Sequence, residues 1–209
     1  MKIFLDTADA HEVLQAQSTG MIDGVTTNPT LIKNRGMEPR HVYKSMRAIG
    51  VQDISMEVPA GDYHSMLKSA MELAEEFPEQ ATIKLPMTID GLKVVRELEP
   101  LGIRSNVTLI FNAAQAILAA KAGATYISPF VGRIDDQGYA GTEVVRSCVE
   151  LLRDSSTQVL AASIRTTQRV VRCFYSGADI VTMPPSVFWS MYEHVLTDQG
   201  LDIFEKDAS

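Results

Sequence analysis

The chain has 209 residues, of which 45% are hydrophobic and 22% charged, a composition typical of a soluble globular protein. Its 26 acidic residues outnumber the 19 basic ones, which gives a formal net charge of -7. This balance argues against a nucleic-acid or anionic-membrane surface, although a local pair of arginines could still bind an anionic substrate. No apolar run approaches membrane-spanning length, and the first residues reach Asp6 too early for a signal-peptide core. We therefore expect a cytoplasmic protein.

Short β-rich segments alternate with amphipathic helical segments along the whole chain, about eight times at roughly 26 residues per unit. This rhythm predicts an α/β protein with a single-domain (β/α)8 TIM barrel. The expected strands are 2–6, 22–26, 53–58, 81–85, 103–108, 124–130, 157–163 and 179–183. The expected helices are 9–18, 38–49, 62–76, 89–99, 112–121, 140–153, 166–175 and 185–195.

Glycines lie between a predicted helix and the next strand at Gly50, Gly102, Gly123 and Gly177, where a left-handed residue commonly ends a helix. No proline-rich or low-complexity linker divides the chain, so we expect one domain over 1–209. The alternative architecture is an open doubly wound sheet, which usually has fewer strands and a glycine-rich first turn. No glycine pattern of a nucleotide-binding loop occurs.

Lys84 lies within the apolar run 81–86, which otherwise has the composition of a buried strand. Removing an ammonium group from water disfavours its charged form, and a neutral amine is a nucleophile toward carbonyl carbon. The position therefore indicates Schiff-base chemistry. Taken alone, the commoner explanation is a lysine whose stem covers apolar surface at a strand end while its ammonium group reaches solvent.

Polar residues crowd toward the carboxyl ends of the predicted strands, where barrel enzymes place their sites. Successive strand residues point to opposite faces, and the polar set of each strand belongs inside the barrel. Two carboxylates and an amine on the same inward face are costly to bury unless they pair or react. Strand-end polarity alone, by contrast, explains Thr26, Thr27 and Ser105 without a function. The residues expected to converge on one cavity are Asp6, Asn28, Glu57, Lys84, Asn106, Thr108, Ser128 and Ser163.

Six short motifs at these strand ends together resemble the transaldolase family, in particular its short branch, which also contains fructose-6-phosphate aldolases. The resemblance covers essentially the whole chain. Each motif is weak alone, and their common order makes the match specific. The motifs are LDT at 5–7, GVTTNP at 24–29, TIKLP at 82–86, NVT at 106–108, ISPFVGRID at 127–135 and ASIR at 162–165.

The resemblance implies a class I mechanism without metal or cofactor, in which Lys84 attacks the ketone carbon of a sugar phosphate and forms an iminium. The iminium accepts electrons when the adjacent carbon–carbon bond breaks, and a dihydroxyacetone unit stays bound as an enamine until an aldehyde arrives. By similarity, Asp6 moves the proton of the hydroxyl beside the breaking bond. Glu57, through a water held with Thr108, serves the formation and dehydration of the carbinolamine.

The same resemblance implies two sets of substrate contacts. The residues that match those binding the hydroxyls of the dihydroxyacetone unit are Asn28, Asn106 and Ser128. The residues that match phosphate contacts, for which guanidinium offers forked donors, are Arg133, Ser163 and Arg165. Thr26 and Phe130 complete the candidate substrate-binding residues.

Simpler explanations exist for three of these residues. Arg133 could form a salt bridge with the nearby Asp135 or Asp136, at about even odds from spacing alone. Asn28 could be a turn residue before a proline, and Arg165 could lie at the solvated start of a helix. Without the resemblance these three positions would carry little functional weight.

Two positions separate the two activities of the family. Transaldolases resemble this chain in having glutamate at position 57 and phenylalanine at position 130, where the aldolases have glutamine and tyrosine. A phenol at position 130 could help protonate the enamine and release free dihydroxyacetone, whereas the Phe130 ring cannot, although aromatic residues more often simply fill a core. The expected reaction is transfer from sedoheptulose 7-phosphate to glyceraldehyde 3-phosphate, giving erythrose 4-phosphate and fructose 6-phosphate. Fructose-6-phosphate aldolase activity is the alternative.

Two other classes compete with this interpretation. A metal-dependent enzyme on the same barrel would need inward histidines, but all four histidines fall in predicted helices. A non-catalytic phosphosugar-binding barrel would bind ligand without a covalent adduct. The two cysteines, Cys148 and Cys173, match no metal or redox spacing and are expected to be buried thiols.

The final segment, 197–209, carries apolar residues among charges and predicts a short terminal helix that packs on the barrel or on a neighbouring subunit. Some short-branch relatives assemble as pentamers or decamers through terminal helices. The resemblance therefore implies a homo-oligomer.

Overall fold

Eight parallel strands close into one barrel in chain order in the computed structural model, which describes residues 1–208. The predicted (β/α)8 barrel is therefore confirmed, and the open sheet is not formed. The strands are β1 (Lys2–Asp6), β2 (Gly24–Thr26), β3 (Ile54–Glu57), β4 (Ala81–Pro86), β5 (Arg104–Ile110), β6 (Tyr126–Pro129), β7 (Gln158–Ala161) and β8 (Ile180–Met183).

Eleven α-helices surround this barrel within residues 1–208, and a 3-10 turn, Glu99–Leu101, follows the fifth of them. Most of them fall where the sequence predicts a helix. The helices are α1 (Ala10–Gln17), α2 (Pro29–Asn34), α3 (Pro39–Ala48), α4 (Tyr63–Glu76), α5 (Ile89–Leu98), α6 (Ala113–Lys121), α7 (Val131–Asp136), α8 (Gly141–Leu151), α9 (Thr167–Tyr175), α10 (Pro185–Ser190) and α11 (Val195–Asp207).

Three helix predictions need correction. The short helices α2 and α7 were not predicted, because six residues are fewer than two turns and show no helical period. The helix predicted over 185–195 ends at Ser190, and a separate helix begins at Val195. His194 caps that new helix by accepting a hydrogen bond from the Leu196 amide, which explains the break.

The barrel has two apolar cores. The larger one lies between the strands and the surrounding helices, and it includes both free cysteines, which are buried as predicted. The smaller one fills the barrel interior and contains Phe4, Tyr126 and Leu160. A Cβ atom added to Gly24 would lie 2.6 Å from the Phe4 ring, so the interior packing requires glycine there. Phe4 thus points inward, on the face that parity predicts for it and Asp6.

A hydrogen-bonded carboxylate closes the amino end of the barrel. Asp53 accepts hydrogen bonds from the Thr82 and Tyr126 hydroxyls, each at 2.7 Å, and from Arg104 at 3.2 Å. Burying a carboxylate is costly unless such partners compensate it. Asp53 is therefore compensated by its own hydrogen-bond donors at the amino end of the barrel, away from the carboxyl ends of the strands.

The Tyr126→Phe substitution tests the contribution of this network to stability. It removes one hydrogen bond to a buried carboxylate, so the free energy of unfolding should fall by about 1.5–3 kcal/mol. Urea denaturation followed by circular dichroism measures the change. An unchanged denaturation midpoint would contradict this account of Asp53.

The terminal helix α11 confirms the helix predicted for the tail, although Ser209 lies outside the described residues. None of its residues is buried, and it exposes Val195, Leu196, Leu201 and Phe204. Burial in the barrel is therefore not observed, and assembly through this helix stays a prediction. Within residues 1–208, no helix is both long and apolar enough to cross a membrane.

Candidate active site

A cavity of about 490 Å³ opens at the carboxyl ends of the strands, where the sequence predicts the site. Eleven of the twelve predicted site residues line it, and Arg165 is the exception. These eleven are Asp6, Thr26, Asn28, Glu57, Lys84, Asn106, Thr108, Ser128, Phe130, Arg133 and Ser163.

The Lys84 amine is buried in an ion pair at the floor of this cavity. Lys84 and Glu57 are register neighbours on β4 and β3, and Nζ lies 2.9 Å from Glu57 Oε2. Nζ also donates to the Thr27 backbone oxygen at 2.9 Å. Only 6% of the Lys84 side chain is exposed, so the alternative of an ammonium group reaching bulk solvent is wrong. The amine therefore points into the barrel mouth and has a carboxylate within proton-transfer distance.

Asp6 supplies the second carboxylate of the cavity. Burial raises its pKa, and the nearby Glu57 carboxylate raises it further, while Lys84 and hydrogen bonds from Thr26 and Asn28 act in the opposite direction. The Thr26 hydroxyl, for example, donates to Oδ1 at 2.8 Å. The net upward shift means that protonated Asp6 is easier to form here than in water, which suits a group that accepts and returns protons.

Asn28 links the cavity to the short helix α2. Its Oδ1 accepts a hydrogen bond from the Leu31 amide at 3.0 Å and thereby caps the helix, which begins at Pro29. It also lines the cavity, where it lowers the pKa of Asp6. Asn28 is therefore an extended helix-capping residue and not a turn residue, and it also lines the cavity.

A chain of buried hydrogen bonds orients the cavity's other amide. Asn106 donates to the Ser55 hydroxyl at 3.1 Å and accepts from the Ser128 hydroxyl at 2.7 Å. These two partners hold both ends of the amide. The Asn106 side chain is therefore held before any ligand arrives.

Strand β5 is irregular beside the cavity. Its pairing with β6 shifts between Val107 and Ile110, and Leu109 adopts a left-handed φ of +61°. Such a conformation is strained for leucine and often occurs near functional sites. The Leu109 side chain lines the cavity, and the neighbouring Thr108 hydroxyl is buried without a hydrogen-bond partner in residues 1–208. An unpartnered hydroxyl in a cavity is a ready position for a water or substrate group.

The predicted phosphate residues separate into two environments. Arg133 lines the cavity, and its guanidinium carbon lies 5.1 Å from the centre of the Phe130 ring. Ser163, with a left-handed φ of +60°, lines the same side. Arg165 is exposed and instead binds both carboxylate oxygens of Asp136 at 2.5 Å. Its predicted contact with substrate phosphate would therefore require it to leave this partner.

The carboxylates near Arg133 have other partners. Asp136 pairs with Arg165, and Asp135 pairs with Arg169 at 2.9 Å. The salt bridge considered for Arg133 is accordingly not formed in the structure. Its guanidinium remains directed toward the cavity.

Sequence reasoning missed several cavity residues. Thr182 follows from the parity rule applied to β8, because it is the register neighbour of the inward-pointing Phe4. Its hydroxyl lies 2.7 Å from that of Thr26. Leu109 could not be found by parity, since the bulge in β5 reverses the direction of its side chain.

Comparison with known proteins agrees with this fold and site. The model of the family described as "Transaldolase/Fructose-6-phosphate aldolase" matches residues 3–209. The chain is 47% identical over 210 residues to a "Probable transaldolase" of Caldicellulosiruptor saccharolyticus, which covers 99% of this chain and 96% of that protein. A "Probable transaldolase" of Thermodesulfovibrio yellowstonii is 46% identical, with 99% and 97% covered.

A solved structure from Coccidioides immitis, whose description proposes a fructose-1,6-biphosphate aldolase, resembles this chain in fold. The TM-score is 0.62 at 14% sequence identity, covering 88% of this chain and 76% of the other. At this identity the likeness concerns the barrel alone.

The chain is a (β/α)8 barrel protein, and its polar cavity lies at the carboxyl ends of the strands, where enzymes with this fold have their active sites. The chain belongs to the transaldolase/fructose-6-phosphate aldolase family, as the family match over residues 3–209 and the relatives named above show. Its general activity is therefore that of an aldolase or transaldolase.

The Asp6→Asn substitution tests the buried carboxylate through stability. Because the folded-state pKa of Asp6 lies above its unfolded value, the native state binds this proton more tightly, and ionisation at higher pH destabilises the fold. The variant should therefore be more stable than the wild type at pH 7.5. This advantage should shrink as the pH falls through the folded-state pKa of Asp6 toward its unfolded value.

Urea denaturation of both proteins at pH 4.5 and pH 7.5 measures this difference. Asp90→Asn is a matched control, since Asp90 is half-buried and pairs with Lys93 on the surface. An Asp6→Asn variant that is destabilised at neutral pH would contradict the account.

Proposed function

We propose that this protein is a transaldolase that transfers a dihydroxyacetone unit from sedoheptulose 7-phosphate to glyceraldehyde 3-phosphate through a Schiff base on Lys84. The products are erythrose 4-phosphate and fructose 6-phosphate. The observation that carries the proposal is the buried Lys84 amine, 2.9 Å from Glu57 within a cavity that also contains Asp6.

The reaction begins at the ion pair. Glu57 accepts a proton from the Lys84 ammonium, and the resulting amine attacks the ketone carbon of the substrate. The carbon–nitrogen bond forms, and the carbonyl oxygen takes the proton that the attacking nitrogen loses, which gives a carbinolamine. Glu57 then returns a proton to the carbinolamine hydroxyl, water leaves, and the iminium forms.

A water molecule is expected between Glu57 and Thr108 in these proton transfers. The Thr108 hydroxyl is buried and has no protein partner in the described residues, which supports such a role. Glu57, on β3, and Thr108, on β5, line the same cavity. The water would bridge a carboxylate and a hydroxyl that the protein itself leaves apart.

Bond cleavage depends on Asp6. The carboxylate takes the proton from the hydroxyl on the carbon beyond the breaking bond, and that oxygen becomes the aldehyde of the leaving product. The bonding electrons move onto the iminium and give an enamine on Lys84. In the second half of the reaction the enamine attacks the acceptor aldehyde, and Asp6 returns the proton to the new hydroxyl. The raised pKa of Asp6 supports both directions of this transfer.

Polar residues around the cavity hold the remaining substrate groups in this proposal. Asn28, Asn106 and Ser128 bind the hydroxyls of the dihydroxyacetone unit, and the hydrogen bonds of Asn106 support its preorganisation. Arg133 and Ser163, which also line the cavity, bind the phosphate. Arg165 joins them only if substrate draws it away from Asp136.

Phe130 favours transfer over release of the dihydroxyacetone unit. The ring lines the cavity, packs against Phe111 with centroids 5.9 Å apart, and carries no group that could deliver a proton to the enamine. The enamine therefore waits for an aldehyde rather than being protonated. Fructose-6-phosphate aldolase activity is a minor outcome on this basis.

The Lys84→Ala substitution should abolish transfer. We expect turnover to fall by at least about 10³-fold, as for removal of other covalent nucleophiles. Borohydride should also no longer trap an adduct with fructose 6-phosphate. Lys93→Ala, at a lysine whose side chain is 58% exposed, is the control and should behave as the wild type. Trapping that persists in Lys84→Ala would assign the chemistry to another lysine.

The Phe130→Tyr substitution should increase release of free dihydroxyacetone from fructose 6-phosphate relative to transfer, by about tenfold or more if the phenol acts as a positioned acid. Phe111→Tyr adds the same hydroxyl to the neighbouring ring, which does not line the cavity, and should leave the ratio unchanged. A coupled assay for dihydroxyacetone measures both. An equal ratio in Phe130→Tyr and wild type would contradict this role of the ring.

A further inference from the structure

Tyr43 carries a buried hydroxyl that the proposed reaction does not use. It lies on α3 and is 1% exposed, and its ring packs edge-on against Phe77 with centroids 6.0 Å apart. The hydroxyl has no hydrogen-bond partner among residues 1–208. Native proteins rarely leave such a group unpartnered, so its position calls for an explanation.

Tyr43 lines the same groove as Glu57, the carboxylate that pairs with Lys84. Burial raises the pKa of Tyr43, the Thr27 side chain lowers it, and the charge of Glu57 raises it again, in agreement with the groove that Tyr43 and Glu57 share. Glu57 Oε2 and the Thr27 backbone oxygen each accept a hydrogen bond from Lys84 Nζ at 2.9 Å. Tyr43 therefore borders the same groove as one of the two acceptors of the buried ammonium group.

Glu57 itself borders two open spaces. One is the cavity at the barrel mouth, and the other is a groove of about 480 Å³ between α3 and α4, which Tyr43 also lines. Because open space lies on both sides of Glu57, packing alone does not fix the position of its carboxylate. In the resting protein the ion pair with Lys84 fixes that position.

This ion pair changes during the proposed reaction. An ammonium group offers three N–H donors, and Lys84 uses two of them for Glu57 and Thr27. A protonated iminium nitrogen keeps only one N–H, because its other bonds are to carbon. When the Schiff base forms, at least one of the two acceptors must lose its donor.

We propose that Tyr43 is a positioning residue whose hydroxyl donates a hydrogen bond to Glu57 once the Lys84 nitrogen is bonded to substrate. No covalent bond forms or breaks at Tyr43, and its proton stays on the phenol oxygen. In the resting protein the Tyr43 hydroxyl has no partner among residues 1–208, and Glu57 Oε2 accepts a hydrogen bond from the ammonium group. This inference rests on the proposed Schiff-base reaction and adds a residue to it.

The Tyr43→Phe substitution separates this role from a structural one. The phenyl ring keeps the packing against Phe77, and the lost hydroxyl had no partner, so the melting temperature should stay the same or rise. The value of kcat should nevertheless fall about tenfold, the effect of one hydrogen bond, with KM within about twofold of wild type. The single-turnover rate at which borohydride-trappable adduct accumulates should fall by the same factor.

The matched control is Tyr126→Phe, which removes a buried hydroxyl at the opposite end of the barrel. Because that hydroxyl does have a partner, Asp53, the control should lower the melting temperature and leave kcat and the trapping rate unchanged. Tyr43→Phe should thus lower kcat without lowering the melting temperature, and Tyr126→Phe should lower the melting temperature without lowering kcat.

A double-mutant cycle with Glu57→Gln tests the route of the effect. If Tyr43 acts through the Glu57 carboxylate, Tyr43→Phe should cost less than about twofold in the Glu57→Gln background. Wild-type kcat in Tyr43→Phe, or a full tenfold loss repeated in the Glu57→Gln background, would overturn the inference. A wild-type chain without transfer activity or trapped adduct would instead overturn the proposed function, and with it this inference.

Discussion

The ion pair between Lys84 and Glu57 is the constraint on which the rest of the site depends. Neighbouring parallel strands place the two side chains in register, and the Thr27 carbonyl adds a second acceptor at the same distance of 2.9 Å. A buried ammonium without these partners would be strongly destabilising, since removing one member of a buried pair leaves an uncompensated charge. In the proposed reaction the same carboxylate that stabilises the ammonium also accepts its proton. The contact between Lys84 and Glu57 thus both compensates the buried charge and provides the route for proton transfer.

The two ends of the barrel show how differently buried charge can be used. At the amino end, Asp53 has three hydrogen-bond donors and closes the interior as a static network. At the carboxyl end, the Thr108 hydroxyl lines the cavity and has no partner in the described residues. Unsatisfied groups reduce stability, yet they remain free to bind groups that exist only during a reaction. The polar groups that favour stability and those that favour chemistry therefore occupy opposite ends of one barrel.

The barrel itself could be predicted from the sequence because strands buried on both sides leave apolar runs, and inward parity identified most of the cavity. What escaped prediction has local causes. Helices α2 and α7 are too short to show a period, so the Asp136 carboxylate on α7 could not be foreseen as the partner of Arg165. Leu109 enters the cavity through a left-handed bulge that reverses strand parity. Tyr43 shares a groove with Glu57 but lies on a helix, which strand-based reasoning does not consider.

Peptide mapping of the wild-type protein after borohydride reduction with fructose 6-phosphate tests the central claim most directly. The account predicts a reduced sugar adduct on the peptide that contains Lys84, formed only when the ketose is present. The buried amine of this residue, paired with Glu57, is the one that the cavity presents to the substrate. An adduct on a different lysine, or transfer activity without any trapped adduct, would contradict it.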